Sequence, residues 1–175
     1  KSLNQPIYNL LGGKVREKLR SYTYLYPTSS QLESEFYSSP DLSAEAAAKA
    51  IDMGFTAIKF DPAGPYTIYG GHQPTLQDLE LCQAFCASIR DRIGTAADLL
   101  FGTHGQFTPS AAIRIARRLE MYDPLWFEEP MPPESARDMH IIAKKTSIPI
   151  ATGERLTTKY EFSEVLRSGA AAILQ

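Results

Sequence analysis

The pattern that decides the fold lies in residues 97–130, ADLLFGTHGQFTPSAAIRIARRLEMYDPLWFEEP. A short apolar run at 99–101 is followed by Thr108, which is placed to cap a helix, and by Pro109 in the first turn, where proline is tolerated. One face of that helix carries the apolar residues Ala112, Ile115, Ala116 and Leu119. A second apolar run at 125–127 then ends in two glutamates. This order of strand, helix and strand predicts parallel strands joined by a helix.

The same alternation continues on both sides of this stretch. Strands are predicted at 19–26, 56–60, 148–151 and 171–174, and helices at 43–53, 75–93, 134–145 and 158–168. Apolar strands that alternate with helices are typical of a parallel sheet covered by helices, so the fold class is α/β. The regular repeat favours an incomplete (β/α)8 barrel of the TIM type, with about five βα units plus a sixth strand. An open dinucleotide-binding sheet is disfavoured, because no GxGxxG motif follows the first strand.

The length of the chain bears on its domain organisation. A complete barrel has eight βα units and typically about 250 residues, whereas this chain has 175. We therefore expect residues 19–175 to be part of a barrel domain whose last strands lie outside this chain. Residues 1–18 are interpreted as the end of a helix and a turn that lead into the barrel.

The composition is that of a globular protein, with 43% hydrophobic and 22% charged residues. A net charge of −2 argues against nucleic-acid binding, which needs clustered lysine and arginine. No apolar run approaches the ~20 residues of a membrane span, so we expect no membrane partner. Cys82 and Cys86 lie four residues apart on a predicted helix. They are interpreted as small core residues in a reducing cytoplasm.

Charged residues follow directly after the predicted strands. Lys59 and Asp61 follow one strand, His104 the next, and Glu128 and Glu154 the two after that. The carboxyl ends of barrel strands meet at one face, where active sites are built. Carboxylates gathered there repel one another unless a cation or a proton lies between them. Because Mg²⁺ prefers oxygen ligands, these strand ends predict a magnesium site.

Several short motifs together resemble a known family, essentially from end to end of the chain. They are Leu10-Leu11-Gly12-Gly13-Lys14, Ala57-Ile58-Lys59, His104-Gly105, Trp126-Phe127-Glu128-Glu129-Pro130, Pro149-Ile150-Ala151, Gly153-Glu154-Arg155 and Ile173-Leu174-Gln175. With them the chain resembles the mandelate racemase and galactonate dehydratase branch of the enolase superfamily. Gly102 and Glu128 are 26 residues apart, as are Glu128 and Glu154. This spacing is similar to that of the three metal-ligand positions of that branch.

The resemblance implies a capping α+β domain outside this chain and a modified barrel. It also implies that the proton next to a substrate carboxylate is abstracted while Mg²⁺ stabilises the ene-diolate. Glu128 and Glu154 would bind the metal, and His104 would be the acid–base residue. Lys59 is expected either to anchor the substrate carboxylate or to pair with a glutamate. The family commonly forms homo-oligomers, so we expect a dimer to an octamer.

Two positions depart from the family pattern. Gly102 stands where the first metal ligand is usually an aspartate, and glycine offers no carboxylate. Asp61 replaces the second lysine of a Lys-x-Lys pair, which argues against a two-base racemase. Asp61 could instead bind metal, orient His104 or act as a base. His72, in the polar segment 61–74 that is interpreted as an active-site loop, and Arg155 are predicted to bind substrate.

The sequence thus predicts a metal-dependent lyase that removes water from an acid sugar, a small molecule, to give a 2-keto-3-deoxy acid. An alternative within the superfamily is a cycloisomerase or epimerase of an acid sugar or its lactone. An alternative of another class is a catalytically silent binding or structural homologue, which Gly102 favours. An unrelated metal-dependent barrel such as an aldolase is disfavoured by the two equal spacings.

Overall fold

The computed structural model describes residues 1–64 and 73–175 of the chain. Six strands form one sheet: β1 Thr23–Tyr24, β2 Ala57–Phe60, β3 Asp98–Gly102, β4 Trp126–Glu128, β5 Ile150–Thr152 and β6 Ile173–Leu174. Each strand pairs in parallel with the strand next to it in sequence. A barrel sheet grows in one direction in this way, whereas the strand order of a doubly wound sheet reverses. The predicted α/β fold, a partial barrel with six strands, is confirmed.

Helices alternate with these strands. They are α1 Ile7–Leu10, α2 Glu33–Phe36, α3 Pro40–Asp52, α4 Leu76–Ile93, α5 Pro109–Leu119, α6 Ala136–Ala143 and α7 Lys159–Ser168, with a 3-10 turn at Glu120–Tyr122. Across the two described segments, none of them combines the length and the apolarity needed to cross a membrane.

Threonine caps fix the starts of three of these helices. The side chains of Thr75 and Thr158 accept from the backbone N–H groups of Asp78 and Glu161, and each of those carboxylates bonds back to its threonine's N–H. Thr108 caps α5 in the same way without the returning carboxylate. These side chains satisfy backbone donors that a helix leaves open at its first turn, so the predicted starts of α4, α5 and α7 are confirmed.

Other predicted boundaries were wrong by a few residues. The predicted strand 19–26 shortens to Thr23–Tyr24, and Arg20 instead donates its side-chain hydrogen bonds to Thr56 and Asp98. The helix predicted at 43–53 begins at Pro40, because Ser39 caps it. This serine followed by proline is a common signal for a helix N-terminus.

The two faces of the sheet have different residues because side chains alternate along a strand. On the face covered by helices, Phe101 packs edge-on against Phe60 and Phe127, with ring centroids 5.5 and 6.1 Å away. These rings belong to the hydrophobic core between sheet and helices, which also contains both cysteines. The pairing register puts Lys59 and Gly102 on the opposite face, which is the face toward a barrel's interior. That face carries the candidate site.

Candidate active site

A cleft of about 380 Å³ lies at the carboxyl ends of the strands. It is lined by Tyr24, Tyr26, Tyr37, Lys59, Asp61, His104 and Glu154. Four of these residues, Lys59, Asp61, His104 and Glu154, were singled out from the sequence. They meet because parallel strands bring their carboxyl ends to the same face, even when the residues are far apart in the chain.

Lys59 and Glu128 form a buried ion pair beneath this cleft. The Lys59 Nζ atom lies 2.6 Å from Glu128 Oε1, and the two side chains are 9% and 3% exposed. The indole N–H of Trp126 donates to the other carboxylate oxygen, Oε2, over 3.1 Å. Both oxygens of Glu128 therefore have a hydrogen-bond donor. Lys59 was expected either to anchor the substrate carboxylate or to pair with a glutamate. The structure shows the pair with a glutamate.

Gly102 lies against the same lysine. A Cβ atom added at Gly102 would lie 2.4 Å from Cε of Lys59, far inside van der Waals contact. Gly102 and Glu128 are register partners in neighbouring strands, so position 102 faces the ion pair directly. The side chain of Lys59 therefore fills the space that a larger residue at position 102 would need.

Asp61 is buried at the end of β2. Its Oδ1 accepts from the backbone N–H of Ala63 over 2.9 Å, and its Oδ2 accepts from Nε2 of Gln106, also over 2.9 Å. Burial outweighs these hydrogen bonds and raises the pKa of Asp61 to about 8. Burial, and then the charge of Asp61, likewise raise the pKa of the neighbouring Tyr24 well above its usual value. Asp61 is therefore mostly protonated at neutral pH.

Glu129, the residue after Glu128, has a different environment. Its Oε2 accepts from Nε of Arg155 at 2.9 Å and lies 2.7 Å from another guanidinium nitrogen of the same residue. The Glu129 side chain is 1% exposed, and burial raises its pKa above the usual value although Arg155 opposes the change. Within the described parts of the chain, Oε1 of Glu129 has no hydrogen-bond partner.

Arg155 also reaches the backbone of His104. Its guanidinium donates to the His104 carbonyl oxygen over 3.2 Å, and the N–H of Gly105 donates to the Glu129 carbonyl over 2.7 Å. His104 and Glu129 both have left-handed backbone angles, with φ of 53° and 38°. Such angles are unfavourable for residues other than glycine and persist where surrounding contacts hold them. Arg155 thus ties the end of β5 to the ends of β3 and β4.

The carboxylates present do not fit the predicted magnesium site. Magnesium requires several oxygen donors directed at one point. Within residues 1–64 and 73–175, no three His, Cys, Asp or Glu side chains lie close enough together to hold a metal ion. Gly102 supplies no donor, both oxygens of Glu128 are engaged, and Glu154 is exposed. The roles predicted for Glu128 and Glu154 as metal ligands remain predictions.

The substrate-binding roles expected for His72 and Arg155 stay predictions. His72 falls outside the described residues. Arg155 is not among the described residues that line the cleft, and it contacts Glu129 and His104 instead.

Several contributors to the site were not predicted from the sequence. They are Gln106, which donates to Asp61, the three tyrosines that line the cleft, and Trp126, which donates to Glu128. Gln106 directly follows the quoted His104-Gly105 motif. Its place after a strand is the one signal that could have identified it.

Comparison with known proteins gives a consistent picture. The family model described as "Enolase C-terminal domain-like" matches residues 42–175. Over its whole length the chain is 33% identical to a D-gluconate dehydratase of Thermoproteus tenax, covering 33% of that protein. It is also 33% identical over its whole length to a D-gluconate/D-galactonate dehydratase of Picrophilus torridus, covering 42% of that protein. The chain therefore spans less than half the length of these two curated relatives.

The fold comparison agrees with the sequence comparison. A crystal structure of a protein from Labrenzia alexandrii DFL-11, assigned as a mandelate racemase/muconate lactonizing enzyme, superposes with a TM-score of 0.90 at 67% sequence identity. That match covers 99% of this chain and 45% of the other.

Proposed function

Because this chain belongs to the enolase C-terminal domain-like family, we propose that the intact protein is an acid-sugar dehydratase. It would remove a proton from the carbon next to the substrate carboxylate. The bond between the β-carbon and its hydroxyl then breaks, water leaves, and the enol product becomes a 2-keto-3-deoxy acid. The observation that carries this proposal is the cleft in which Lys59, Asp61 and His104 meet. The dehydratase names of the two relatives support the choice of reaction.

Lys59 is the group proposed to attract the substrate carboxylate. An ammonium has three N–H donors, and Glu128 accepts one of them. Lys59 also lines the cleft, so a carboxylate that enters it meets a positive charge fixed by the ion pair below. Negative charge grows on the substrate carboxylate as the proton leaves, so this attraction is stronger in the transition state than in the ground state.

His104 is proposed to transfer the proton, since imidazole can accept and return a proton near neutral pH. Its side chain lines the cleft, and its backbone is held by Arg155 and by the hydrogen bond of Gly105 to Glu129. Asp61, with a pKa of about 8, is a second group able to give or take a proton in this range. Gln106 fixes the orientation of that carboxyl group.

The substrate is proposed to be a polyhydroxylated acid. The phenol groups of Tyr24, Tyr26 and Tyr37 and the carboxylate of Glu154 line the cleft and supply hydrogen-bonding groups for hydroxyls. The relatives named for D-gluconate and D-galactonate support an aldonic acid of this kind.

The test is a screen of the intact protein against aldonic and aldaric acids, with 2-keto acid as the readout. The His104→Asn variant should lower kcat by roughly 10²- to 10⁴-fold, the contribution of a general acid or base. His140→Asn is the matched control, because His140 lies on α6 and its ring bonds to the Gly169 carbonyl, away from the cleft. Unchanged turnover in His104→Asn would contradict the proposed role.

Other products would identify the alternatives. An isomeric acid or a lactone detected by NMR, without 2-keto acid, would indicate a cycloisomerase or epimerase. No change in any acid of the panel would favour the non-catalytic homologue. Light scattering on the same preparation would test the predicted homo-oligomer of two to eight chains.

A further inference from the structure

We propose that the ammonium group of Lys59, and not a divalent metal ion, is the cation that neutralises Glu128 in this protein. The pair is short, at 2.6 Å, and nearly excluded from solvent on both sides. A buried carboxylate is unstable without a countercharge, and Lys59 supplies one within its own chain. Trp126 engages the second oxygen of Glu128, so each oxygen of this carboxylate has a hydrogen-bond donor without a metal.

Gly102 provides an independent argument. Glycine is needed where the backbone has a positive φ or where a Cβ atom would collide with a neighbour. Gly102 is absent from the glycines with positive φ and lies within β3, so its backbone would accept any residue. The atom that a side chain would meet is Cε of Lys59, 2.4 Å from the Cβ position. An aspartate at position 102 would therefore require the flexible end of the Lys59 side chain to leave its observed position beside Glu128.

The surroundings of Lys59 also favour a fixed ammonium. Its Nζ lies 5.7 Å from the ring centroid of Tyr22 and 6.0 Å from that of Tyr24, distances at which aromatic rings attract a cation. These contacts add to the ion pair in holding the charge near β1 and β4. Gly102, Lys59 and Glu128 thus form a matched set in which the glycine makes room for the lysine and the lysine neutralises the glutamate.

The consequence is that the cation beside Glu128 is singly charged and covalently attached, instead of doubly charged and exchangeable. Its value in catalysis rests on the proposed function, because the same ammonium would face the substrate carboxylate. The inference itself concerns metal affinity, so it can be tested whether or not a substrate is known.

The experiment is a titration of the intact protein with Mn²⁺ after dialysis against EDTA. Binding is measured as the loss of the EPR signal of free Mn²⁺. We expect no tight Mn²⁺ binding that depends on Glu128. In the double variant Lys59→Met, Gly102→Asp, the ammonium is removed and the carboxylate is restored. This variant should bind one Mn²⁺ per chain roughly 100-fold more tightly than the wild type, and Glu128→Gln in that background should abolish the gain.

Two results would overturn the proposal. One is stoichiometric micromolar Mn²⁺ binding by the wild type that Glu128→Gln removes. The other is a double variant that folds, as judged by circular dichroism, and binds Mn²⁺ no more tightly than the wild type. Wild-type binding that Glu128→Gln leaves unchanged lies elsewhere and agrees with the proposal. A failed 2-keto acid screen would contradict only the proposed reaction, since the metal titration does not depend on turnover.

Discussion

Removing the guanidinium of Arg155 should destabilise the protein through Glu129. In Arg155→Met the Glu129 carboxylate, 1% exposed, loses both contacts to the guanidinium, and its other oxygen already lacks a partner within the described residues. Breaking a fully buried ion pair costs about 3–5 kcal/mol. Arg155 is 38% exposed, so water already screens part of the attraction. We therefore expect a loss of about 2–3 kcal/mol in the free energy of unfolding.

The assay is equilibrium unfolding of the intact protein in urea, at several pH values. Burial gives Glu129 a raised pKa in the folded state, and the loss of Arg155 raises it further. Such a carboxyl contributes stability below its unfolded pKa, and that contribution is lost as pH rises through the folded value. The deficit of Arg155→Met should therefore be large at neutral pH and shrink as pH falls toward the ordinary glutamate value of 4.5.

Arg167→Met is the matched control, because Arg167 is an exposed residue in the last turn of α7. It should change stability by less than about 0.5 kcal/mol. The double variant Glu129→Gln, Arg155→Met completes the cycle and should lose less than the sum of the two single variants. A deficit below about 0.5 kcal/mol, or one that is the same at every pH, would refute this reasoning.

Three further predictions concern other parts of the molecule. Asp61 has a pKa of about 8 when folded against 3.8 ordinarily, so the wild type should lose stability as pH rises between these values. Asp61→Asn should flatten that dependence in urea titrations, and an unchanged slope would assign it to another group. Cys82 and Cys86 are buried, and burial raises the pKa of Cys82 to about 12. Neither thiol should react with a disulfide reagent at pH 8 until urea is added, and rapid labelling of the native protein would contradict this. Thr75→Ala should cost about 1 kcal/mol in the same unfolding assay, because it removes the hydroxyl that accepts from the Asp78 N–H and leaves only the backbone half of the capping box, while Thr75→Ser should restore most of it.

Local signals predicted most of the fold. Caps such as Thr108 followed by Pro109, and apolar runs between them, depend on residues a few positions apart, so they can be read from the chain directly. Predictions failed where pairing with a neighbour decides the outcome. The segment 19–26 has strand composition throughout, but only Thr23–Tyr24 finds hydrogen-bonding partners, at Ile58 and Lys59.

The sequence predicted where the candidate site lies, but not which of its side chains contact one another. Strand-end residues must meet at one face, which is why Lys59 and His104 could be selected from the sequence. That Lys59 would bond to Glu128 and fill the space above Gly102 depends on side-chain conformation. The burial that raises the pKa of Asp61 likewise depends on the packed structure. The only sequence signals of the Lys59 conformation and of the raised Asp61 pKa are the unexpected residues at positions 61 and 102.

The strand order has a consequence for how the chain assembles. Within the described residues, each of the six strands pairs with strands adjacent in sequence, so these pairings do not wait for a distant segment. The entropy lost in closing each connection grows slowly with its length, and every connection here is one βα unit long. The sheet can therefore grow unit by unit as the polypeptide leaves the ribosome, amino end first. The contact from Lys59 to Glu128 spans 69 residues. The ammonium group of Lys59 therefore cannot form this ion pair until the fourth strand, which ends at Glu128, is synthesised.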